Sequence, residues 1–216
     1  MNQPLLSIIT INKNDQVGLK KTEYAGKISY WVSEKDNGIY NAMNKGLDHA
    51  NGKWVCMMNA GDTFLPNALD NFTELADKNS DAIFYGAAKR VLNENFVDVI
   101  CTTAEKLEST GLCHQAVFIP LSLHKKHGVY NEEYKICADY DFLLKCFLAK
   151  ENFVFIDRII CTYDLSGISA DSSKRLKEKK IIQEKHGIKQ KSFSIKSFIK
   201  LFVPFGIIVL KEKLFH

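Results

Sequence analysis

An acidic residue follows one of the apolar runs of the chain. Residues 53–58, KWVCMM, are typical of a buried strand, and the turn Asn59-Ala60-Gly61-Asp62 comes directly after them. In open α/β sheets, ligands bind beyond the carboxyl ends of the strands. Ala60 and Gly61 would let the backbone approach a bulky ligand, and Asp62 offers a hard oxygen of the kind that Mg²⁺ or Mn²⁺ prefers. A cation there could bridge to a diphosphate, although the spacing alone favours a plain turn.

Two further groups of polar residues have types that could do chemistry. The stretch ICADYDFLLK places Asp139 and Asp141 at the start of an apolar helix. One acid could cap that helix, but two exceed what capping requires, so a general base is plausible. The stretch GLCHQAVF places His114 and Gln115 just before a strand. A lone histidine is more often structural, but this pair could hydrogen-bond a ligand rich in hydroxyl groups.

Hydrophobic periodicity predicts the elements that must position these residues. Strands and helices alternate in the first half, which favours an α/β fold with a mostly parallel sheet flanked by helices. Gly52 is expected to end the first helix as its C′ residue. The predicted strands cover residues 5–11, 28–32, 53–58, 81–85, 88–92, 96–101, 116–119 and 153–156, and the predicted helices cover 39–51, 66–78, 121–127 and 139–149.

The composition is that of an ordinary globular protein, with 46% hydrophobic and 25% charged residues. A net charge of +4 is too small to argue for a nucleic-acid partner. The six cysteines are scattered without a C-x-x-C pair, which argues against a metal–thiolate centre and favours a reducing compartment. Nothing like a signal peptide precedes the first predicted strand, so we expect a cytoplasmic protein.

Residues 192–216 differ from the rest of the chain in being both apolar and basic. Their longest uncharged apolar run, residues 201–210, is shorter than the roughly 20 residues that a membrane crossing needs. The flanking lysines favour a segment that lies in an anionic membrane interface over a helix packed on the domain. We predict a globular domain over residues 1–170, a basic amphipathic helical region over residues 171–216, and peripheral attachment at the inner face of the cell membrane.

Four pieces of the sequence, taken in order, resemble family 2 glycosyltransferases of the GT-A fold, in the branch of the colanic-acid and lipopolysaccharide sugar transferases. They are SIITINKN (7–14), SEKDNGIYNAMNKGLDHANGKW (33–54), MNAGD (58–62), and the pair CHQAVF with ADYDF. The second piece resembles the signature S-E-x-D-x-G-I-Y-x-A-M-N-K-G and is highly specific. The third resembles a D-x-D element, with Asn59 where many members carry aspartate. The likeness covers residues 4–169.

The resemblance implies an inverting sugar transfer from a nucleotide-diphosphate sugar, a UDP-sugar above all, to a glycan or lipid-linked acceptor. It makes Asp62 the ligand of an Mg²⁺ or Mn²⁺ ion and Asp139 the base that deprotonates the acceptor hydroxyl. The acceptor side would include His114, Gln115 and Asp141. The donor side would be formed by the residues Thr10, Asn12, Glu34, Asp36, Gly38, Asn44, Lys45, Asn59, Ala60 and Gly61.

One departure from the family pattern keeps a second reading open. Members carry a helix, a strand ending in a motif like D-G-x-S-x-D-G-T, and another helix after the first strand, and an aspartate of that motif contacts the nucleotide base. Here Asn14 is joined to Ile28 by thirteen residues. One crossover alone takes about a dozen residues, so a βαβ unit of about thirty residues is missing. The chain is therefore either an active transferase or a degenerate, non-catalytic relative that binds a partner or a membrane.

Overall fold

The computed structural model describes residues 3–11, 28–93, 95–165 and 172–188. The chain divides into two compact units, Met1–Ile182 and Gln183–His216, and the fold and site below lie in the first. The predicted boundary between residues 170 and 171 stays a prediction, and the tail over 192–216 lies outside the described residues. In the described part of the chain, no helix is both long and apolar enough to cross a membrane.

Seven strands and five α-helices make up the described part of the fold. The strands are β1 (Leu6–Ile11), β2 (Trp54–Asn59), β3 (Thr63–Phe64), β4 (Ile83–Leu92), β5 (Asn95–Ile100), β6 (Val117–Pro120) and β7 (Phe153–Asp164). The helices are α1 (Ile39–His49), α2 (Phe72–Lys78), α3 (Leu121–His127), α4 (Ala138–Leu148) and α5 (Ser172–Lys185). Short 3₁₀ turns at Ala104–Lys106 and His114–Ala116 connect β5 to β6.

The strands form one mixed sheet in the order β1-β2-β6-β4-β7-β3, with β5 paired to β4 outside this path. The pairs β1–β2 and β4–β7 are parallel, whereas β6 runs antiparallel to both of its neighbours. The predicted α/β class is confirmed, and the sheet contains more antiparallel pairing than we expected. The register sets Ile11 beside Asn59, so β1 and β2 end at the same edge of the sheet.

The predicted strand over residues 28–32 is wrong. These residues form no strand, and Tyr30, Trp31 and Val32 are 50%, 60% and 50% exposed. An apolar, β-branched run satisfies the local pattern of a strand, but a strand also needs a neighbouring edge to pair with. None of the described strands pairs with this segment. Residues 28–32 are therefore an exposed, irregular segment before α1.

The core lies around the middle of the sheet and is rich in aromatic rings. Trp54 is fully buried, packs edge-on against Phe72, and donates a hydrogen bond from Nε1 to the carbonyl oxygen of Ala82 at 2.9 Å. Phe84 and Phe118 complete the cluster from β4 and β6. Helix α2 begins at Phe72, later than the predicted start at residue 66, because the intervening residues form turns.

Gly52 has a different role from the predicted helix cap. Helix α1 is closed by Ala50, whose N–H donates to the carbonyl oxygen of Leu47 at 3.1 Å, and Gly52 does not have a left-handed backbone. Instead it lies against β1, where its N–H donates to Ser7 Oγ at 2.8 Å. A Cβ added to Gly52 would lie 2.4 Å from the backbone nitrogen of Ser7 and 2.6 Å from the carbonyl carbon of Leu6. Only glycine lets the chain pass so close to β1.

We expect Gly52→Ala to lower the free energy of unfolding by about 1–3 kcal/mol, because the backbone of β1 has to move to admit the methyl group. Urea denaturation of the two proteins measures the difference. Gly111→Ala is the matched control, since its added Cβ meets only Tyr140 Cδ2, at an ordinary 3.6 Å. Equal losses in the two variants would contradict the close-approach explanation.

Candidate active site

The first part of the site is the acidic turn that follows β2. Gly61 has a φ of +93°, a value that favours glycine, and it turns the chain so that the Asp62 N–H bonds the Asn59 carbonyl oxygen at 3.1 Å. One carboxylate oxygen of Asp62 accepts from Gln115 Nε2 at 2.7 Å. The other accepts the backbone N–H of Asp164, the last residue of β7, at 3.0 Å. The carboxylate is therefore held from two separate parts of the sheet.

Gln115 is the buried residue whose side-chain amide binds the Asp62 carboxylate. The sequence analysis did not predict this contact. Its side chain is 1% exposed, and its Oε1 accepts from the Cys113 thiol at 3.1 Å. The 3₁₀ turn His114–Ala116 delivers it to the sheet edge just before β6. Its predicted role toward an acceptor stays a prediction, while the contact that the structure gives it is with the candidate metal ligand.

Asp62 has an environment that suits a shared cation. Burial raises the pKa of its carboxyl group above the usual range, although the hydrogen bonds from Asp164 and Gln115 oppose this effect. A nearby cation would favour the charged form. Among the described residues, no cluster of three or more His, Cys, Asp or Glu side chains could enclose a metal. Mg²⁺ commonly takes one or two carboxylates together with substrate phosphates and water, so Asp62 fits a cation held jointly with a diphosphate.

The second part of the site is a chain of hydrogen bonds centred on Asp139. Its Oδ2 lies 3.2 Å from His114 Nδ1, and its Oδ1 lies 2.7 Å from the Tyr40 hydroxyl. The same hydroxyl lies 2.7 Å from the carbonyl oxygen of Ile136, so its single proton is shared between two acceptors. His114 Nε2 in turn lies 3.2 Å from Asn59 Nδ2. The structure thus joins the start of α4 to the end of β2 through His114.

The charges of this chain follow from its burial and contacts. Burial raises the pKa of Asp139, but the hydrogen bonds from His114 and Tyr40 outweigh it and hold that pKa below its usual value. Burial lowers the pKa of His114, and the contact with Asp139 more than reverses this, so the pKa is raised. Burial, and then the charge of Asp139, raise the pKa of Tyr40. Asp139 is consequently ionised, and the raised pKa of His114 favours the protonated ring beside it.

The protonation of His114 determines how Asn59 must face it. A neutral ring that donates from Nδ1 to Asp139 can accept the Asn59 amide N–H at Nε2. A protonated ring donates from both nitrogens and needs the amide oxygen instead. In the orientation seen, Asn59 Oδ1 is buried without a hydrogen-bond partner. A 180° rotation of the amide places that oxygen against the imidazolium and pairs it. Protonation of His114 is therefore linked to the orientation of the Asn59 side chain.

Several predicted donor-side residues lie around the N-terminal end of α1. Lys45 Nζ is 2.8 Å from Asp36 Oδ1 and 2.5 Å from Glu34 Oε1. Gly38, with a φ of +126°, starts the helix. Thr10 is exposed on β1, near the edge that also carries Ala60, and Asn12 lies outside the described residues. Their contacts with a donor stay predictions.

Asn44 and Asp141 make contacts within the protein that the sequence did not indicate. Asn44 Nδ2 donates to the carbonyl oxygen of Tyr130 at 2.9 Å, and the Tyr130 N–H donates back to Oδ1 at 3.0 Å. Asn44 therefore clamps the segment that leads to Asp139. Asp141 is buried within α4, 4.0 Å from Lys145 Nζ. The acceptor role predicted for Asp141 stays a prediction.

These features define a class of protein. The family model described as glycosyl transferase family 2 matches residues 15–147, which is more than half of the chain. The chain therefore belongs to the family 2 glycosyltransferases, and the predicted family is confirmed. The narrower likeness to colanic-acid and lipopolysaccharide sugar transferases stays a prediction.

Two mycobacterial relatives show how the similarity is distributed. The chain is 29% identical over 204 residues to an uncharacterized glycosyltransferase of Mycobacterium tuberculosis, covering 77% of this chain and 78% of the relative. It is 30% identical over 119 residues to a PGL/p-HBAD biosynthesis glycosyltransferase of the same species, covering 53% of this chain and 45% of the relative. This alignment is 204 positions long, but it includes only 77% of the 216 residues of this chain, which is fewer than 204 residues. The first relative therefore has positions without a counterpart in this chain.

Solved structures show the GT-A fold. Staphylococcus aureus TarS 1–349 in complex with UDP-GlcNAc matches with a TM-score of 0.57 and 17% identity, over 73% of this chain and 48% of that one. TarS 1–349 in complex with UDP matches with a TM-score of 0.59 and 16% identity, over 94% of this chain and 67% of that one. The chain thus spans about half the length of the first of these structures, and the likeness concerns the fold alone.

We expect the pair of His114 and Asp139 to stabilise the fold most between the ordinary pKa values of aspartate and histidine, about 4 and 6.5. The depressed pKa of Asp139 contributes stability above its ordinary value, which is lost as the pH falls through the folded value. The raised pKa of His114 contributes stability below its ordinary value, which is lost as the pH rises through the folded value. His114→Gln should thus cost about 1.5–3 kcal/mol near pH 5.5 and less near pH 8.5 in urea denaturation.

The control for this experiment is the same substitution in an Asp139→Asn background. With the ion pair already removed, the cost of His114→Gln should no longer vary between the two pH values. A cost that is independent of pH in the wild-type background would show that the two side chains are not an ion pair.

Proposed function

We propose that this protein transfers a sugar, with inversion, from a nucleotide-diphosphate sugar to a hydroxyl group of a glycan or lipid-linked acceptor. The observation that carries the proposal is the contact of Asn59 with His114 and of His114 with Asp139. It connects an ionised carboxylate to the turn that bears Asp62. Two acids whose pKa values are shifted in opposite directions would then serve one site, one toward an anionic donor and the other toward a hydroxyl group. The UDP and UDP-GlcNAc complexes of TarS support a UDP-sugar as the donor.

In this proposal the two carboxylates have separate tasks. Asp62 would hold an Mg²⁺ or Mn²⁺ ion together with the diphosphate, and the ion would supply positive charge to the leaving nucleotide. Asp139 would accept the proton of the acceptor hydroxyl as that oxygen bonds the anomeric carbon. The bond from this carbon to the diphosphate oxygen breaks, and its electron pair leaves with the nucleotide. Attack from the face opposite the leaving group inverts the configuration.

His114 and Tyr40 would keep Asp139 ready for this role. Both hydrogen-bond the carboxylate and lower its pKa, so the group is ionised at neutral pH. A carboxylate with a lowered pKa is ionised at neutral pH, but it is also a weaker proton acceptor. The attack would therefore depend on the departure of a well-stabilised nucleotide, which is the task assigned to Asp62.

The first test is metal-dependent binding of UDP, measured by calorimetry with Mn²⁺ and with EDTA. We expect the wild type to bind UDP about tenfold or more tightly with Mn²⁺, because the ion bridges Asp62 and the phosphates. Asp62→Asn should lose this difference while keeping the size of the side chain. Asp48→Asn, at an exposed acid of α1, is the control and should behave as the wild type. Wild-type affinity that is the same in EDTA and in Mn²⁺ would sink the metal assignment.

The second test concerns the base. Asp139→Asn keeps the shape of the side chain but cannot accept the acceptor proton, so turnover should fall by about 10²-fold or more. The UDP dissociation constant should change little, because Asp139 is assigned to the acceptor. Asp141→Asn, in the same motif, is the comparison. If Asp141→Asn were inactive and Asp139→Asn active, the assignment of the base would be wrong.

The second candidate function is that of a non-catalytic relative that binds a partner or a membrane. The observations that favour it are the shortened link between Asn14 and Ile28 and the exposed segment that follows it. In the family the missing segment contributes to recognition of the nucleotide base. UDP binding with Mn²⁺ separates the two candidates, because a degenerate relative without a donor site would not bind it.

We also propose that residues 192–216 attach the enzyme to anionic membranes, where a lipid-linked acceptor would be located. This proposal comes from the sequence, since the segment lies outside the described residues. Each lysine near an anionic surface contributes on the order of 1 kcal/mol, so salt should weaken binding without abolishing it. Co-sedimentation with anionic liposomes should occur for the full chain and be lost in a version that ends at Lys191. Equal sedimentation of both versions would contradict the assignment.

A further inference from the structure

We propose that Glu178 of α5 is a positioning residue for transfer, because it fixes the backbone segment that presents Asp139. The inference rests on the proposed function, in which Asp139 is the base. One oxygen of the Glu178 carboxylate accepts the backbone N–H of Lys135 at 2.6 Å. The other accepts the N–H groups of Ile136 and Cys137, both at 2.7 Å. A single side chain thus binds three consecutive backbone donors.

These contacts replace a helix cap that the local sequence does not provide. The first N–H groups of an α-helix have no partner within the helix, and a side chain at the N-cap position usually satisfies one of them. The N-cap of α4 is Cys137, whose side chain makes no capping hydrogen bond. A carboxylate at this end also interacts favourably with the helix dipole. Glu178, from a helix more than forty residues later in the chain, accepts the N–H of the N-cap residue Cys137 itself, which is one of the N–H groups without a partner in the helix.

The segment held by Glu178 is also the one that meets Asp139 through Tyr40. The N–H of Ile136 donates to Glu178, and the carbonyl oxygen of the same residue lies 2.7 Å from the Tyr40 hydroxyl. That hydroxyl is also 2.7 Å from Asp139 Oδ1. If residue 136 moved, the Tyr40 hydroxyl could no longer lie within hydrogen-bond distance of both the Ile136 carbonyl oxygen and Asp139 Oδ1. The anchoring of the backbone by Glu178 is therefore coupled to the hydrogen bonds of the catalytic carboxylate.

Polar contacts hold α5 against this segment. Lys179 Nζ donates to the carbonyl oxygen of Ser109 at 2.8 Å and lies 4.8 Å from the centre of the Tyr140 ring. The apolar residues Leu176 and Ile181 of the same helix are 65% and 57% exposed, while Ile182 is fully buried. Glu178 adds its three hydrogen bonds to backbone N–H groups to these contacts of α5.

The test compares Glu178→Ala and Glu178→Gln with Lys177→Ala, a charge removal at an exposed position of the same helix. Glutamine keeps the size of the side chain but turns an amide N–H₂ toward backbone N–H groups. We expect both Glu178 variants to lower kcat by about tenfold while the UDP dissociation constant in Mn²⁺ stays within about twofold. Amide hydrogen exchange at residues 135–137 should become about tenfold faster, and Lys177→Ala should match the wild type in all three measurements.

A second readout does not need turnover. The NMR titration of the His114 ring reports its contact with Asp139, and we expect its pKa to fall toward the ordinary histidine value in Glu178→Ala. If the wild type transfers no sugar, the proposed function fails, and the titration and the exchange still decide the role of Glu178. Faster exchange with an unchanged kcat and His114 titration would overturn the proposal. So would a fall in kcat matched by an equal loss of UDP affinity or of folded protein, because the role would then be structural.

Discussion

The contact between His114 and Asp139, which becomes an ion pair when the His114 ring is protonated, is the interaction on which the rest of the site depends. A charge that is largely removed from water is costly unless it has a partner, so each of these groups requires the other in place. His114 is fixed by the turn into β6 and Asp139 by the start of α4. The sheet must therefore bring these two elements together, and Tyr40 from α1 and Asn59 from β2 can then join the chain. Residues from four distant parts of the sequence are therefore joined by this chain of hydrogen bonds.

The two acids of the site differ because of what surrounds them. Asp62 accepts one side-chain amide and one backbone N–H, which are neutral donors that do not offset the cost of burial, so its pKa is raised. Asp139 has a potential cation against it, and its pKa is lowered in spite of its burial. Environments that separate the pKa values of two carboxyl groups commonly assign them different tasks. In the proposed function, these environments would assign a cation to Asp62 and proton acceptance to Asp139.

The N-terminal side of the described fold packs closely around β1. Strand β1 stands at one end of the order of described strands and pairs directly with β2. Helix α1 and the turn after it lie tightly on β1, with Gly46 against the Ile9 side chain and Gly52 against the Ser7 backbone. This close packing keeps the edge that carries the acidic turn in place. The strands that flank Asp62 and the helix that carries Asp139 belong to the described fold.

The sequence alone determined the α/β class, the family, and the acids that end β2 and begin α4, because these follow from local periodicity and from short motifs. It also placed Asn59, His114 and Asp139 in one site through the family resemblance. It could not give Gln115 as the partner of Asp62, Tyr40 as a partner of Asp139, or Glu178 as the cap of α4. These contacts join residues that are 53, 99 and 41 positions apart. A local sequence pattern indicates that a side chain can form a hydrogen bond, but it does not identify the partner. The strand predicted over residues 28–32 failed for the same reason, since only the tertiary structure decides whether an apolar run finds a neighbouring strand.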